Sequence, residues 1–285
     1  MRIQILSMFA ASAVALGASA APAAEPVAMI TDLQGKVDSG NIVAAPAILG
    51  SINAGATLSV GDGGNLVVVY FGSGKEFALK GPATVRFGAT APEMLAGAAP
   101  QVRDPLMGKV AGAGKIKPVG KIQAAVVMRG AKESSRIKFE TLAGTRVLDP
   151  RPEFRWQGPG EGLSYNLELS DELGAVMLEQ KVSGTSFRLP AAVQLKEGAT
   201  YTWLLDTTLA DGKKYSNAGD FTLAGAELRA DVEAVRPAAD APLSERVTYA
   251  AWLDQLQFHD EARKYWKELA AARSGDANLN QLAGQ

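Results

Sequence analysis

Between residues 27 and 90 the apolar positions fall into short runs that glycine-containing turns separate. The runs are Val27–Ile30, Leu33–Val37, Ala56–Val60, Leu66–Phe71, Glu76–Leu79 and Ala83–Phe87. Strand-length runs that recur about every 8–12 residues are typical of a compact all-β unit. Leu66–Phe71 is continuous rather than alternating and rich in β-branched side chains, so it predicts a buried strand.

From about residue 135 the apolar positions begin to alternate with polar ones. Phe154 and Trp156 fall on one face of a predicted strand, and Tyr165, Leu167 and Leu169 alternate in the same way. Further strands are predicted at 137–139, 145–148, 175–177, 185–190, 198–205 and 219–223. The pattern indicates a second β-unit with two small sheets around an aromatic core.

After Leu223 the apolar spacing becomes helical. Ala226–Val235 predicts a helix that Pro237 stops, and Ser244 is a predicted N-cap for a second helix. Apolar residues at i, i+3, i+4 and i+7 then continue through two helices joined at Phe258–Asp260. They are Tyr249, Trp252, Leu253, Leu256, Ala262, Tyr265, Trp266, Leu269 and Ala270. The pair resembles a single tetratricopeptide-like hairpin, which cannot bury its own face and must pack on the β-unit or on a partner.

The stretch 91–134 is rich in Ala, Gly, Pro and Lys and has weak periodicity. It is interpreted as a linker or as an extension of the first domain, with one candidate strand at Ile122–Met128. The predicted organisation is a first β-domain at 25–90, this segment at 91–134, a β-sandwich at 135–224 and a helical tail at 225–285.

The first β-domain resembles the FecR family. The resemblance rests on "LQGKV" at Leu33–Val37 and on the turn-and-strand series from Ile52 to Gly88, "INAGATLSVGDGGNLVVVYFGSGKEFALKGPATVRFG". FecR proteins that regulate sigma factors carry a cytoplasmic segment and a membrane span before this module. We find neither in the sequence, so the resemblance implies the periplasmic module rather than an anti-sigma regulator.

The second β-domain resembles a fibronectin-type-III domain. The motifs, in order, are P-x-F-x-W at Pro152–Trp156, Y-x-L-E-L at Tyr165–Leu169, L-x-x-G-x-x-Y-x-W at Leu195–Trp203 and F-T-L at Phe221–Leu223. The resemblance implies a β-sandwich whose core is built around Trp156, Tyr165, Tyr201 and Trp203. The expected fold class is therefore mainly β: a FecR-like domain, a fibronectin-like sandwich and a short α-helical hairpin.

Residues 1–24 have the pattern of a cleaved signal peptide. Arg2 precedes the apolar run Ile3–Leu16, and small residues offer cleavage between Ala20 and Ala24. The alternative is an uncleaved anchor, but the run is short and Ala-rich for a membrane span of roughly 20 apolar residues. We expect a periplasmic mature protein that does not span the membrane.

Composition narrows the chemistry. The chain has no cysteine, which excludes disulfides, thiolate catalysis and Cys-ligated zinc. Its formal net charge is −1, so there is no overall electrostatic footprint for nucleic acid. The charge is uneven: residues 101–155 carry 12 Lys/Arg against 5 Asp/Glu, and residues 156–285 carry 12 against 19. Such segments can pair internally or bind a charged partner, or can simply be solvated faces.

The candidate catalytic residues each have a structural interpretation. His259 is the only histidine and lies at the predicted helix–helix turn, where a capping or surface role is expected. Ser135 and Lys138 match an S-x-x-K spacing, but that chemistry needs a helix N-terminus and this segment is predicted to begin a strand. The chain also lacks a Gly-x-Ser-x-Gly nucleophile elbow.

The remaining candidates for a binding or catalytic site are glycine-containing loops and paired carboxylates. Gly72–Glu76 and Gly112–Ile116 lack the full spacing of a phosphate-binding loop, and Asp62–Gly64 lacks the carboxylates of a calcium loop. Asp171 and Glu172 fall in a predicted hairpin turn, while Asp260 and Glu261 open a predicted helix, where negative charge suits the dipole. A carboxylate pair from distant strands stays open. We predict no catalytic, cofactor or metal site.

The function expected from these patterns is non-enzymatic: a periplasmic binding or scaffold protein. Edge strands of the sandwich and the aromatic helical hairpin would contact another envelope protein. One alternative is a cell-wall or glycan-binding module that uses exposed aromatics together with the basic residues of 101–151. The other is the periplasmic sensor arm of a FecR-type signalling system, acting through a separate membrane protein.

Overall fold

The computed structural model describes residues 25–40, 45–104 and 137–284. Strands make up 40% and helices 19% of them, in several antiparallel sheets and a few short helices, so the mainly β class predicted from the sequence is confirmed. The predicted signal peptide at 1–24 and the candidate strand Ile122–Met128 lie outside the described residues. Within these residues, no helix combines the length and apolarity that a membrane span requires.

The strands between residues 26 and 103 form a first β-unit. They are β1 (Pro26–Gln34), β2 (Val37–Ser39), β3 (Ser51–Asn53), β4 (Thr57–Val60), β5 (Asn65–Tyr70), β6 (Glu76–Lys80), β7 (Ala83–Phe87), β8 (Pro92–Ala96) and β9 (Gln101–Arg103). One sheet has the order β3-β1-β5-β6-β9 and the other β2-β4-β7-β8. Both sheets contribute to one apolar core, Leu66 and Val68 from the first and Leu58 and Val85 from the second, so they pack face to face.

β1 is one strand where the sequence analysis expected two, at Val27–Ile30 and Leu33–Val37. A bulge between Ile30 and Asp32 shifts its register against β5, and the Thr31 hydroxyl donates to the Val67 carbonyl at 3.3 Å. The bulge lets the strand continue through the polar Thr31-Asp32 pair that separates the two apolar runs.

β8 and β9 lie in the stretch 91–134, which is predicted to be a linker or an extension of the first domain. β8 pairs with β7 and β9 pairs with β6, so each adds an edge strand to one of the two sheets. Both strands are largely exposed, which explains why their apolar pattern is weak.

The strands between residues 138 and 223 form a second β-unit. They are β10 (Lys138–Phe139), β11 (Thr145–Val147), β12 (Glu153–Gln157), β13 (Ser164–Ser170), β14 (Val176–Ser183), β15 (Ser186–Arg188), β16 (Thr200–Thr208) and β17 (Lys214–Leu223). A three-stranded sheet β10-β12-β15 faces a five-stranded sheet β11-β17-β16-β13-β14. All described pairs of this unit are antiparallel except β11 with β17.

Trp203 lies at the centre of the second core. Its ring stacks on Phe139 with centroids 3.7 Å apart and meets Phe154 edge-to-face at 5.0 Å. Its indole N–H donates to the Leu142 carbonyl at 2.7 Å, so the buried polar atom is satisfied. The alternation of aromatic residues along β12, β13 and β16 thus places their rings between the two sheets, as predicted.

The residues after β17 form a helical module of α1 (Ala226–Ala234), α2 (Leu243–Gln255), α3 (His259–Ala272) and α4 (Ala277–Leu282). The predicted N-cap Ser244 is wrong. α2 begins at Leu243, so its N-cap residue is Pro242, two residues before the predicted one, and Ser244 is buried within the first turn. Pro242 has the extended backbone that precedes a helix, and its side chain accepts no hydrogen bond from the first turn.

Candidate interaction surfaces

The helical module is bonded to the second β-unit at the turn between α2 and α3. The Gln257 carbonyl accepts from the Arg146 backbone N–H at 2.7 Å and from the Thr145 hydroxyl at 3.1 Å. The Asp260 carboxylate accepts from the Leu142 backbone N–H at 2.8 Å. Arg263 reaches back to the Glu140 carbonyl at 2.8 Å. Together these contacts fix the start of α3 against the loop that leads into β11.

Asp260 therefore does more than open a helix. Burial raises the pKa of its carboxyl, and the Leu142 N–H and the Arg263 guanidinium, which is 3.1 Å from Oδ1, only partly offset that effect. The Asp260 carboxylate thus satisfies a backbone donor of the second β-unit, a structural contact in addition to its place at the start of α3. The sequence indicated the helix-dipole role but not this second one.

The module is bonded to the first β-unit by an ion pair. Arg273, at the end of α3, donates to both oxygens of Asp32 on β1, at 2.6 and 3.1 Å. The side chains are 21% and 10% exposed, so water screens this pair less than a surface pair. The two residues are 241 positions apart in sequence.

A buried glutamate lies at the same junction. Glu76 on β6 is 2% exposed and pairs with Arg103 on β9 at 2.7 Å. Burial raises the pKa of the Glu76 carboxyl, while Ser244 on α2 and Arg103 pull it down. A raised pKa in the folded state means that the ionised carboxylate costs folding free energy above its titration range. Ionisation of Glu76 therefore opposes folding as the pH rises through its titration range.

An apolar core joins the module to both β-units. It combines Trp252 and Trp266 of the helices with Met29 and Val69 of the first unit and Ala224 after β17. The helical spacing predicts that the hairpin aromatics form a surface for another protein. The structure assigns them differently: Tyr249, Trp252 and Trp266 are at most 5% exposed and pack within the chain. The hairpin was predicted to pack on a β-unit or on a partner, and it packs on both β-units of the same chain.

The aromatic residues predicted for the core of the second β-unit are also buried. Trp156, Tyr165, Tyr201 and Trp203 are at most 2% exposed. The other Phe, Tyr and Trp side chains within residues 25–40, 45–104 and 137–284 are buried or half-buried. Stacking on a glycan needs an open aromatic face, and these residues offer none.

The outer face of the five-stranded sheet is the broad polar surface of the second unit. Cross-strand register places Glu179, Glu168 and Leu204 in one row, and Lys181, Asn166 and Asp206 in the next. Asn166 donates to Asp206 at 3.1 Å. The further charged residues of this face are Asp220 and Lys214 on β17 and Arg146 on β11. With four carboxylates against two lysines and one arginine, the face is weakly acidic.

Apolar side chains are exposed beside these charges. Leu204 is 37% exposed in the middle of the sheet, Val176 is 56% exposed at the start of β14, and Leu173 is 89% exposed in the turn before it. Val176 pairs with Ser170, so it lies in the row next to that of Leu204. Exposed apolar groups surrounded by polar ones are the composition expected of an interaction surface.

The catalytic candidates are dispersed. His259 begins α3, with Nδ1 3.1 Å from an Asp254 oxygen and its side chain 42% exposed. Lys138 lies in β10, as a strand start predicts, while Ser135 and Gly112–Ile116 fall outside the described residues. Gly72–Glu76 turns β5 into β6, and Asp62–Gly64 turns β4 into β5.

The carboxylate pairs likewise have structural places. Asp171 accepts from the backbone N–H groups of Leu173 and Ala175, both at 2.9 Å, so with Glu172 it belongs to the β13–β14 hairpin turn. Glu168 and Glu179 are cross-strand neighbours on the open outer face. In the described part of the chain, no group of three or more His, Asp or Glu side chains is arranged to hold a metal ion.

Two open clefts flank the helical module. The larger, of about 510 Å³, lies between Ile48 of the first unit and the Arg273–Asn278 turn. The smaller, of about 310 Å³, is lined by Leu148 and residues of α1, including Arg229 and Glu233. Arg273 is already paired with Asp32, and Arg229 with Glu197, so neither cleft presents a free arginine.

Comparison with known proteins gives no family. No protein-family model matches the chain, and no curated protein matches it. Among solved structures, CopC from Methylosinus trichosporium OB3b is 16% identical over 32% of this chain and 95% of its own, with a TM-score of 0.25. A β-glucuronidase from Parabacteroides merdae is 9% identical over 31% of this chain and 13% of its own, with a TM-score of 0.23. At these TM-scores neither likeness carries an argument.

Proposed function

We propose that the protein is a non-enzymatic periplasmic scaffold that binds another envelope protein through the second β-unit. In this proposal the first β-unit is a FecR-like module and the second a fibronectin-type-III-like sandwich, as their sequence motifs suggest. The observation that carries the proposal is the outer face of the five-stranded sheet, where Leu204 and Val176 are exposed among Glu168, Glu179 and Asp206.

The helical module supports a scaffold role. Arg273 bonds the module to β1, and Gln257 bonds it to the β11 segment. Its aromatic residues are buried in the apolar core that the module shares with both β-units. A module packed in this way sets the relative position of the two β-units. A surface that remains open to a partner is the outer face of the five-stranded sheet in the second β-unit.

A photo-crosslinking experiment in intact cells tests the proposal. A photoreactive amino acid replaces Leu204 in the full-length, exported chain, and a matched protein carries it at Asp62, in the exposed turn between β4 and β5. We expect irradiation to yield an adduct with a different protein from position 204 and little from position 62. Equal or absent adducts at the two positions would contradict a binding role for the sheet face.

The location is tested on the same cells. We expect the chain in the osmotic-shock fraction, with a mature N-terminus between Ala21 and Glu25, as cleavage from Ala20 to Ala24 requires. Recovery with the cytoplasmic fraction and an intact Met1 would remove the periplasmic part of the proposal.

A further inference from the structure

β14 is an unusual edge strand. It has eight residues and, among the described strands, pairs only with β13. The other strands at the ends of the four sheets have at most five residues. A long edge strand presents a row of unpaired backbone donors and acceptors, which is a template for a further strand.

The sequence of β14 is complementary to itself when it is read in the opposite direction. We propose that β14 pairs antiparallel with β14 of a second copy of the chain, about a twofold axis through Gln180. In that register Glu179 lies opposite Lys181 of the second copy, and Lys181 opposite its Glu179. Leu178 lies opposite Val182 of the second copy on the core side of the sheet. Each copy thus presents the same patch, as twofold symmetry requires.

The regular geometry of β14 around Gln180 supports this register. β14 follows β13 without interruption from Leu178 to Ser183, and its bulge lies outside that stretch, between the partners of Leu169 and Ser170. The central five residues, Leu178–Val182, are therefore regular strand. Glu179, Gln180 and Lys181 are all exposed, so pairing would not have to displace other described elements.

The charges of β14 have a second interpretation, as protection of the edge against association. Charged residues protect an edge strand when they would face like charges on an incoming strand, or when they lie where that strand would have to pack. Here the two charges have opposite signs and stand two residues apart around a neutral centre. Antiparallel self-pairing turns that spacing into two attractive cross-strand pairs, which favours a second copy over other occupants.

The pairing goes beyond the proposed function because it names a second copy as a partner. It would join two five-stranded sheets into one sheet that continues across the twofold axis. The two acidic outer faces would then lie side by side, each with its own Leu204. A binding partner of the outer face would meet two equivalent sites in one assembly, which raises its avidity.

The first test is the mass of the mature protein in solution. We expect sedimentation equilibrium over a range of micromolar concentrations to show a monomer–dimer equilibrium at low salt. A protein that stays monomeric up to the highest concentration would overturn the proposal.

The second test locates the interface by charge reversal. Glu179→Lys places lysine opposite lysine at both cross-strand positions, and Lys181→Glu places glutamate opposite glutamate. We expect each variant to dimerise about tenfold more weakly than the original chain. Mixing the two variants restores opposite charges at both positions, so the mixture should form a heterodimer as strong as the original dimer.

Lys214→Glu is the matched control. It reverses one lysine on the same outer face, on β17, two strands away from β14, and should leave the dimer unchanged. Heterodimer formation in the mixture also shows that both variants are folded. A dimer that neither reversal weakens, or a mixture no stronger than its components, would overturn the β14 register. Crosslinking at position 204 to a different protein does not depend on these outcomes, so the two proposals can fail separately.

Discussion

Gly158, between β12 and β13, has little space for a side chain. A Cβ atom there would fall 1.7 Å from the Tyr165 hydroxyl oxygen and 2.9 Å from its Cζ atom. Tyr165 is 1% exposed and packs edge-to-face on Trp156, with centroids 5.4 Å apart, so it has no open space to move into. We expect Gly158→Ala to lower the free energy of unfolding by about 1 to 3 kcal/mol, the usual cost of overpacking a core. Urea denaturation measures it.

Gly160→Ala is the control for this prediction. It lies two residues away in the same loop, and a Cβ atom there would have a Leu163 methyl group at 3.9 Å as its nearest neighbour, an ordinary contact. We expect its stability to stay close to that of the original protein. Tyr165→Phe in the Gly158→Ala background removes the closest atom and should recover part of the loss. Equal stability of the two alanine variants would contradict the steric account.

At the scale of single residues, the sequence predicted what depends on local alternation. Phe154, Trp156, Tyr165 and Trp203 occupy the core positions that their spacing indicates. Ser244 shows the limit of that reasoning, because a serine before a helical pattern has the same appearance whether it caps the helix or faces another element. In the fold it faces Glu76, which lies 168 residues earlier in the chain and which no local pattern connects to it.

Arg273 and Asp32 test how the end of α3 is held on β1. Both side chains are mostly buried, and their contacts are bidentate. Arg273→Met keeps much of the stem but leaves the Asp32 carboxylate without its partner. We expect a loss of about 1 to 3 kcal/mol in the free energy of unfolding, the range for a hydrogen-bonded charged group at a partly buried site. Denaturant titration at neutral pH measures it.

Lys36→Met supplies the comparison, since Lys36 and Asp38 form a surface pair at 3.3 Å with side chains 78% and 61% exposed. Water screens that pair, so its removal should change stability by less than about 1 kcal/mol. A similar cost for Lys36→Met and Arg273→Met would show that Arg273 acts as any surface cation does, and that α3 is held by apolar packing alone.

At the scale of elements, a strand could be predicted from the sequence when it is strongly buried and was missed when it is exposed. β5 is buried along nearly its whole length and its apolar run predicted it, whereas β8 and β9 are exposed edge strands with weak apolar patterns. β14 was predicted only at 175–177, because Glu179, Gln180 and Lys181 carry no apolar alternation. These strands are defined by hydrogen bonds to a neighbour, and sequence periodicity does not report that contact.

At the scale of the whole molecule, the helical module makes the two β-units into one assembly. A lone helical hairpin leaves an apolar face uncovered, and here that face is covered by β1 and β5 on one side and by the chain after β17 on the other. The sequence predicted that the hairpin needs a cover but could not specify which surface supplies it. That choice depends on contacts between residues far apart, such as Met29 with the helices.

Two adjacent valines on β5 distinguish the packing of the first β-unit against the helices from the packing of its own core. Val69 is 1% exposed and belongs to the core shared with the helices, whereas Val68 is fully buried in the unit's own core. Val69→Ala removes apolar area from the joint, and we expect it to weaken helix docking by on the order of 2 kcal/mol. Hydrogen exchange in the folded state should then be faster for the amides of α2 and α3, by roughly thirtyfold.

Val68→Ala removes the same atoms from the other face of the same strand. Its cost should fall on the strands of the first β-unit, with a smaller acceleration of exchange in α2 and α3. If helix exchange is unchanged by Val69→Ala, the module is stable without the first β-unit and does not set its position. If both variants accelerate helix exchange equally, the first unit and the helices unfold as one cooperative unit, and the contact between them does not open separately. A response confined to Val69→Ala is the result that a docked module predicts, because only that side chain lies between the two.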